Sequence, residues 1–417
     1  MQCDVLVIGA GAAGIIAAWR AANAGARVVL LEKTERVGTK ILISGGGRCN
    51  VTHRGSIREL LSAFRRNEAA FLRPALYRFT NEDVVALLRN RGIALAARPD
   101  NRYFPTEATA KEVVDAFTRC LHEANVDLRL NAGAVRLLVD GTRVVGASAR
   151  TGEQRASCTV VATGGSSYPK SGTTGDAWQW LRELGHRIVP IRAALAPIYL
   201  ADPWTPETSG VSLKDCLLSA RQNGKSEARW RGDLLFTHRG VSGPCALGVS
   251  RVVAERLETG DVSLDVDLCP DESFERLGSA LRRWQHDTPK KGCGSFVESY
   301  APAAASKLVL SSVDVPSERR LQSLTRREFN AVVAGIKGWQ IGRVVSVPLE
   351  KGECVAGGAS LDEIDPQTCA SKLSEGLYIC GEALDIAGAV GGYNLQAAFS
   401  TGYVSGESAA RACGIER

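Results

Sequence analysis

The run Cys3-Asp4-Val5-Leu6-Val7-Ile8-Gly9-Ala10-Gly11-Ala12-Ala13-Gly14 decides the fold. Its first six residues form a short apolar stretch ending on glycine, the pattern of a strand buried on both faces of a parallel sheet. Each of the three glycines that follow has its own task. Gly9 permits a tight turn, Gly11 lets the backbone approach a pyrophosphate, and Gly14 lets helix and strand pack closely. The alanine-rich stretch from Ile15 to Ala24 continues as a helix, whose free N–H groups face the phosphates. Phosphate contacts are therefore expected along Gly9, Gly11, Ala12, Ala13 and Gly14. A second apolar strand, Arg27-Val28-Val29-Leu30-Leu31-Glu32, completes a βαβ unit. Glu32 stands where a carboxylate accepts a ribose hydroxyl, and an acid there argues for an unphosphorylated ribose, as in FAD or NAD.

The next segment separates those two. Gly38-Thr39-Lys40-Ile41-Leu42-Ile43-Ser44-Gly45-Gly46-Gly47-Arg48-Cys49-Asn50 is too glycine-rich and polar for a core element. Three successive glycines let backbone N–H groups line a flat or anionic ligand. Arg48 can pair with a phosphate or polarise a carbonyl. Further on, Ser157 to Ala162 is another buried strand, ending at Thr163-Gly164-Gly165. Gly376 to Gly381 is one more. The chain closes with Gly391-Gly392-Tyr393-Asn394 and a helix from Leu395 to Ala412. The positive end of that helix would stabilise negative charge on a reduced ring. Asn394 there also suits an ordinary N-cap.

Together these stretches resemble the HI0933-like (YhiN/BaiN-type) family of FAD-dependent flavoproteins. The likeness rests on Gly9 to Gly14, on Glu32-Lys33, and on Lys40 to Asn50. It extends to Ala162-Thr163-Gly164-Gly165-Ser166-Ser167-Tyr168-Pro169, to Phe236-Thr237-His238-Arg239-Gly240-Val241-Ser242-Gly243-Pro244, and to Gly391-Gly392-Tyr393-Asn394-Leu395-Gln396-Ala397-Ala398. One local departure is Thr368-Cys369, where such proteins carry methionine after the threonine. The resemblance implies an α/β fold: a Rossmann-like FAD-binding domain of the two-dinucleotide-binding type, with an inserted β-barrel plus helical domain. It implies FAD contacts at the first loop, at Glu32 and Lys33, at Thr39, Lys40, Ser44, Gly45, Gly46, Gly47, Arg48, Cys49 and Asn50, and at the backbone of Val135 for the adenine. Further contacts are implied at Thr163, Gly164 and Gly165, and at Gly381, Glu382, Gly392, Tyr393, Asn394, Leu395 and Gln396.

The texture of the chain agrees with an insertion. Asn81 to Arg91 and Lys111 to Ala124 have helical spacing, and Asp140-Gly141 signals a hairpin. After Pro190 the pattern alternates as in antiparallel strands. Helical spacing returns at Phe274 to Trp284 and Ser317 to Val333, and strands resume from Val344. The expected division is an FAD-binding domain over residues 1–190 and 344–417, with residues 191–343 inserted and a helical subdomain at about 271–330.

Composition bounds the function. With 417 residues and a formal charge of +6, the chain has room for several domains and carries no basic run that calls for a nucleic acid. No apolar run is long enough for a membrane span. The twelve cysteines include no Cys-x-x-Cys pair, and several sit in apolar strands, as in a reducing cytoplasm. A dithiol mechanism and a metal site are not expected. His238 is the one histidine in a candidate ligand segment. It either donates a proton to substrate or holds its turn through a backbone hydrogen bond.

The expected activity is FAD-dependent oxidoreduction of a small organic molecule, by hydride transfer, with NAD(P)H as a transient electron donor. Only one dinucleotide fingerprint is present, so a separate nicotinamide domain is not expected. An RNA-modifying flavoprotein and a non-catalytic flavin-binding redox sensor stand as alternatives. The oligomeric state stays open.

Overall fold

The computed structural model describes residues 3–201 and 208–415. The chain divides into two compact units, Met1–Ile191 with Glu353–Arg417, and Arg192–Gly352.

The first unit is built on a seven-stranded sheet. The elements that frame the site are β1 (Cys3–Ile8), α1 (Ala12–Asn23), β2 (Val28–Leu31), α2 (Thr39–Gly47), β3 (Asp127–Arg129), β4 (Ala134–Asp140), β5 (Arg143–Ala149), β6 (Gly152–Val161), β7 (Leu377–Ile379) and α3 (Tyr393–Ala412). Five strands run parallel in the order β3-β2-β1-β6-β7. Val5, Leu6 and Val7 are fully buried, as a strand covered on both faces must be. The strand β6 joins two parts of this sheet. Its first half pairs antiparallel with β5, and β4 follows across the Asp140–Arg143 hairpin. Its second half joins the parallel core between β1 and β7.

The second unit contains a closed six-stranded barrel. Its neighbouring strands are antiparallel, so Phe236, Leu218, Leu264, Val266 and Trp339 turn into one core. A second layer consists of helices Phe274–Asp287, Cys293–Val297, Ala303–Ser311 and Arg326–Lys337. Lys337 and Asp267, both largely buried, tie that layer to the barrel with a 2.7 Å ion pair.

Two elements differ from expectation. The stretch from Ser317 to Val333 is not one helix. Thr325 caps a helix that begins at Arg326, and its side chain and Glu328 form a capping box. Within the alternating region lies a fourteen-residue helix, Gly243–Arg256, which opens on Gly243-Pro244. Proline in the first turn loses no helical hydrogen bond, so Gly-Pro there starts a helix. No helix among the described residues is long and apolar enough to cross a membrane.

Candidate functional site

The glycine loop between β1 and α1 shows three different environments. Gly9 has φ +99, and a Cβ there would lie 2.6 Å from the Ala162 carbonyl oxygen. A Cβ on Gly14 would lie 1.8 Å from the Gly9 carbonyl oxygen. Gly11 is the opposite case, with nothing within 4 Å of an added Cβ. It is also the N-cap of α1 and offers no side-chain cap to the first N–H groups of the helix. Glu32 braces this loop. Its Oε2 accepts from Ala10 N–H at 2.8 Å, and its Oε1 accepts from Thr34 N–H and Oγ1, each at 2.8 Å. Of roughly four acceptor positions on a carboxylate, three are filled, which leaves one for a ligand hydroxyl.

A second helix N-terminus lies on the same side. Helices α1 and α3 pack backbone against backbone. A Cβ on Gly402 would come within 2.2 Å of Ala13 O, and one on Gly406 within 2.1 Å of Ala17 O. The register advances together along both helices, so they run parallel and their N-termini point the same way. Tyr393 precedes Gly402 by nine residues and α1 begins one residue before Ala13. At 1.5 Å rise per residue, α3 therefore starts roughly 12 Å beyond the start of α1. The two positive helix ends form a step. The Gly402–Gly406 spacing is a signal in the sequence that the strand–glycine patterns did not use.

The cap of α3 is Gly392 with φ +93, not Asn394. Asn394 lies inside the first turn, where its side chain holds Gly388 through both N–H and carbonyl, at 2.8 and 3.1 Å. Asn50, oriented so that its amide matches its neighbours, accepts from Gly392 N–H at 3.0 Å. Gln396 points inward, accepting from Thr52 Oγ1 at 2.7 Å and donating to the Phe79 carbonyl at 3.2 Å. Tyr393 stacks on His53 at 4.4 Å between ring centroids, and His53 Nδ1 donates to the Gly391 carbonyl at 3.1 Å. Burial holds the His53 imidazole below its ordinary pKa, opposed by the Gly391 carbonyl. Leu395 packs against the core beneath.

The segment Thr39–Gly47 is helical at first and breaks at Ser44, Gly45 and Gly46. It is less loop-like than its composition suggests, because Ile41 is fully buried and anchors the first turn. Ser44 Oγ donates back to the Ile41 carbonyl at 2.8 Å. Gly46 and Gly47 have positive φ and open space where a Cβ would be. Arg48 beside them is exposed, with no ion pair among the described residues. Cys49 is buried in the core. Desolvation pushes its thiol up to about 12, so it is protonated at neutral pH.

Three distant segments meet at Lys40. Its Nζ donates to Ser167 Oγ at 2.8 Å and to Glu382 Oε2 at 2.5 Å. Glu382 in turn accepts from Val355 N–H at 2.8 Å and from Gly165 N–H at 3.4 Å. Gly381, in the left-handed region, approaches α1 closely: an added Cβ would lie 2.8 Å from Ala13 Cβ. Gly164 has φ +76. Thr163 Oγ1 and Ser166 Oγ are buried without a partner among the described residues. Orphans of that kind suit a polar ligand. Lys33 lies elsewhere, bonded to Thr174 Oγ1 at 2.6 Å and Asp176 at 2.8 Å. Val135 occupies a bulge in β4, and its carbonyl accepts from Trp180 Nε1 at 2.9 Å.

In the second unit, His238 sits exposed in the turn between strands Lys225–Thr237 and Gly240–Ser242. The turn is held by Thr237, not by His238: Thr237 Oγ1 accepts from Arg239 N–H at 3.4 Å and donates to the Gly240 carbonyl at 3.2 Å.

The open cradle at Gly11, the spare position on Glu32 and the orphaned Thr163 hydroxyl all fit an FAD. The sequence matches the family described as HI0933-like protein Rossmann domain over residues 3–408. It is 29% identical over 405 residues to the ribosomal RNA dihydrouridine synthase of Escherichia coli, covering 96% of each chain. It is 26% identical to the 3-dehydro-bile acid delta(4,6)-reductase of Clostridium scindens, covering 97% of this chain and 98% of that one. In fold it resembles 3-ketosteroid delta1-dehydrogenase from Sterolibacterium denitrificans, with TM-score 0.54 at 14% identity, over 98% of this chain and 99% of that one. The chain belongs to the HI0933-like family, and it is an oxidoreductase with FAD as its cofactor.

Proposed function

We propose that the protein reduces a carbon–carbon double bond conjugated to a carbonyl, with NAD(P)H as the electron donor. The observation that carries this reading is Arg48, an exposed guanidinium without an ion pair among the described residues, beside the open Gly46–Gly47 backbone. When a hydride adds to the far carbon of such a bond, negative charge gathers on the carbonyl oxygen. A free guanidinium stabilises that charge as it develops. The full-length relatives support the reading. Dihydrouridine is uridine with its ring double bond saturated, and the bile-acid enzyme is named for reducing double bonds next to a 3-keto group. The scaffolds differ while the bond chemistry is shared.

Bound FAD would supply the hydride acceptor and donor. The chain's residues do the rest. The first turn of α1 and Gly11 would hold the phosphates, Glu32 would hold a ribose hydroxyl, and the positive start of α3 would stabilise negative charge on the reduced ring. Overall, NAD(P)H is oxidised to NAD(P)+. The substrate gains a hydride on its β-carbon and a proton on its α-carbon.

Anaerobic mixing tests the reading. NADH or NADPH should bleach the yellow protein, and a conjugated enone or a uridine-containing RNA should restore the colour with loss of the double bond. Arg48→Ala should leave bleaching intact and slow the second step by a factor on the order of 100. No bleaching with either nucleotide would sink the reductase reading.

A further inference from the structure

Saturating a conjugated double bond takes a proton as well as a hydride. Arg48 stays charged and gives none. Other polar groups of the first unit are committed elsewhere. Lys40 is paired with Glu382, and Cys49 is sealed in the core. His53 is stacked on Tyr393, with Nδ1 turned to the Gly391 carbonyl. Glu353 differs from all of these. Its side chain is exposed, although Gly352 and Cys354 on either side are buried. Its carboxyl has no hydrogen bond or ion pair among the described residues.

The backbone fixes where that carboxyl stands. The Glu353 carbonyl accepts from Ser167 Oγ at 3.4 Å, and the same hydroxyl accepts from Lys40 Nζ at 2.8 Å. Two residues on, Val355 N–H donates to Glu382 Oε1 at 2.8 Å, and a Cβ on Gly165 would lie 2.7 Å from Val355 Cγ2. Glu353 therefore enters the junction of Lys40, Ser167 and Glu382, beside the segment whose Thr163 and Ser166 hydroxyls are orphaned. Water reaches its carboxyl, yet burial raises it above the ordinary value of 4.5. A carboxylate on an open surface shows the first property without the second. Both together describe the wall of a recess, wet but crowded by protein, where the charged form loses hydration. Arg102 alone opposes the rise, and its guanidinium is already bonded to Asp100 at 2.7 Å. Arg102 pairs in register with His53, which holds Gly391 just before α3. The recess thus adjoins the start of that helix.

We propose that Glu353 is the acid of the reaction, the residue whose carboxyl gives the α-carbon its proton. The proposal rests on the reductase reading. As a hydride reaches the β-carbon, the electron pair of the double bond moves toward the carbonyl, where Arg48 steadies the oxygen. The pair then forms the new bond between α-carbon and hydrogen, and the O–H bond of Glu353 breaks. Glu353 is left as a carboxylate and takes its next proton from water, which its exposure allows. An acid works best when its own proton is held near the working pH, so a carboxyl in a recess serves better than one on an open surface.

The test uses the FAD-loaded protein, NADPH and cyclohex-2-enone under anaerobic stopped flow. Glu353→Gln keeps the shape and removes the proton. It should slow the return of colour, relative to bleaching, by a factor on the order of 100. Glu353→Asp keeps a carboxyl and should recover part of that rate. In the wild type the second step should slow as pH rises through the midpoint of the carboxyl, and in Glu353→Gln it should be flat. Difference infrared spectra, wild type minus Glu353→Gln, read the same group without turnover and should show a protonated-carboxyl band that titrates above pH 4.5. Tyr168→Phe removes another exposed hydroxyl, next to Ser167, and should keep the pH dependence. A band titrating at or below 4.5, wild-type return of colour in Glu353→Gln, or loss of the pH dependence in Tyr168→Phe would each overturn the proposal. A wild type that bleaches but regains no colour with the enone would overturn the reductase reading and the role of Glu353 with it, whereas an error about Glu353 alone shows only in the variants and the infrared band.

Discussion

The two helix N-termini of the first unit make the same physical offer by different means. The start of α1 is written locally. Gly9, Gly11 and Gly14 sit within six residues, and each has a distinct environment. The start of α3 is placed from a distance. Gly392 caps it, but its height above α1 is set by Gly402 and Gly406, which let the backbones touch more than two turns further on. One site is a motif, and the other is a consequence of packing. A glycine can thus serve a ligand in three ways: by leaving space, by taking a positive φ, or by letting helices close up.

Substitution separates these roles. The largest effect belongs to Gly402→Val. Its Cβ would collide with a backbone oxygen that cannot move without displacing α1. The cost is about 3 kcal/mol or more, against a total stability of roughly 5–15 kcal/mol. Little soluble protein is expected, and chemical denaturation of what remains should show a much lower midpoint. Gly14→Ala comes next. Its Cβ would meet the Gly9 carbonyl, so a loss of about 2–3 kcal/mol should accompany loss of flavin. A normal melting temperature in either variant would remove packing from the explanation.

Lys40→Met should have a smaller effect. It leaves Glu382 with its backbone donors but without its ion pair, in a site where both side chains are mostly covered. A cost of about 2 kcal/mol is expected. A stability unchanged from wild type would mean that this network does not join the three segments.

The smallest effect is in pH. Burial holds His53 and His186 below the ordinary imidazole value of 6.5, with Glu363 opposing at His186. Below that value the unfolded chain takes up protons that the folded chain refuses. Stability should therefore fall as pH drops from about 7 to about 5. His186→Asn should flatten that slope in urea melts. An unaltered slope would assign the acid sensitivity to other groups.

These contrasts also show what the sequence could reveal. The strand, the glycine loop and Glu32 are legible because neighbours in sequence are neighbours in space. The Asp140–Gly141 hairpin follows for the same reason, whereas the parallel core is legible from its unbroken apolar runs although its strands lie far apart in sequence. The Lys40–Glu382 pair spans 342 positions, and no local pattern announces it. The helix Gly243–Arg256 lies in a stretch whose alternation reads as antiparallel strands, and the Gly243-Pro244 pair that opens it carries no apolar helical signal. Ile41 anchors a segment whose glycines suggest only a loop. Asn394 has the right chemistry for a cap yet spends it on Gly388, because Gly392 makes the turn one step earlier.

We infer that Gly11 is kept small for a ligand and not for the fold. Its φ of −80 and ψ of −171 suit any residue, and nothing occupies the space beside it. FAD titration of purified apo Gly11→Val, followed by flavin fluorescence with a parallel thermal melt, tests this directly. The expected result is an apo protein that melts with wild type and binds FAD at least 100-fold more weakly. Wild-type FAD affinity in that variant would mean that Gly11 is kept small for some reason other than the ligand.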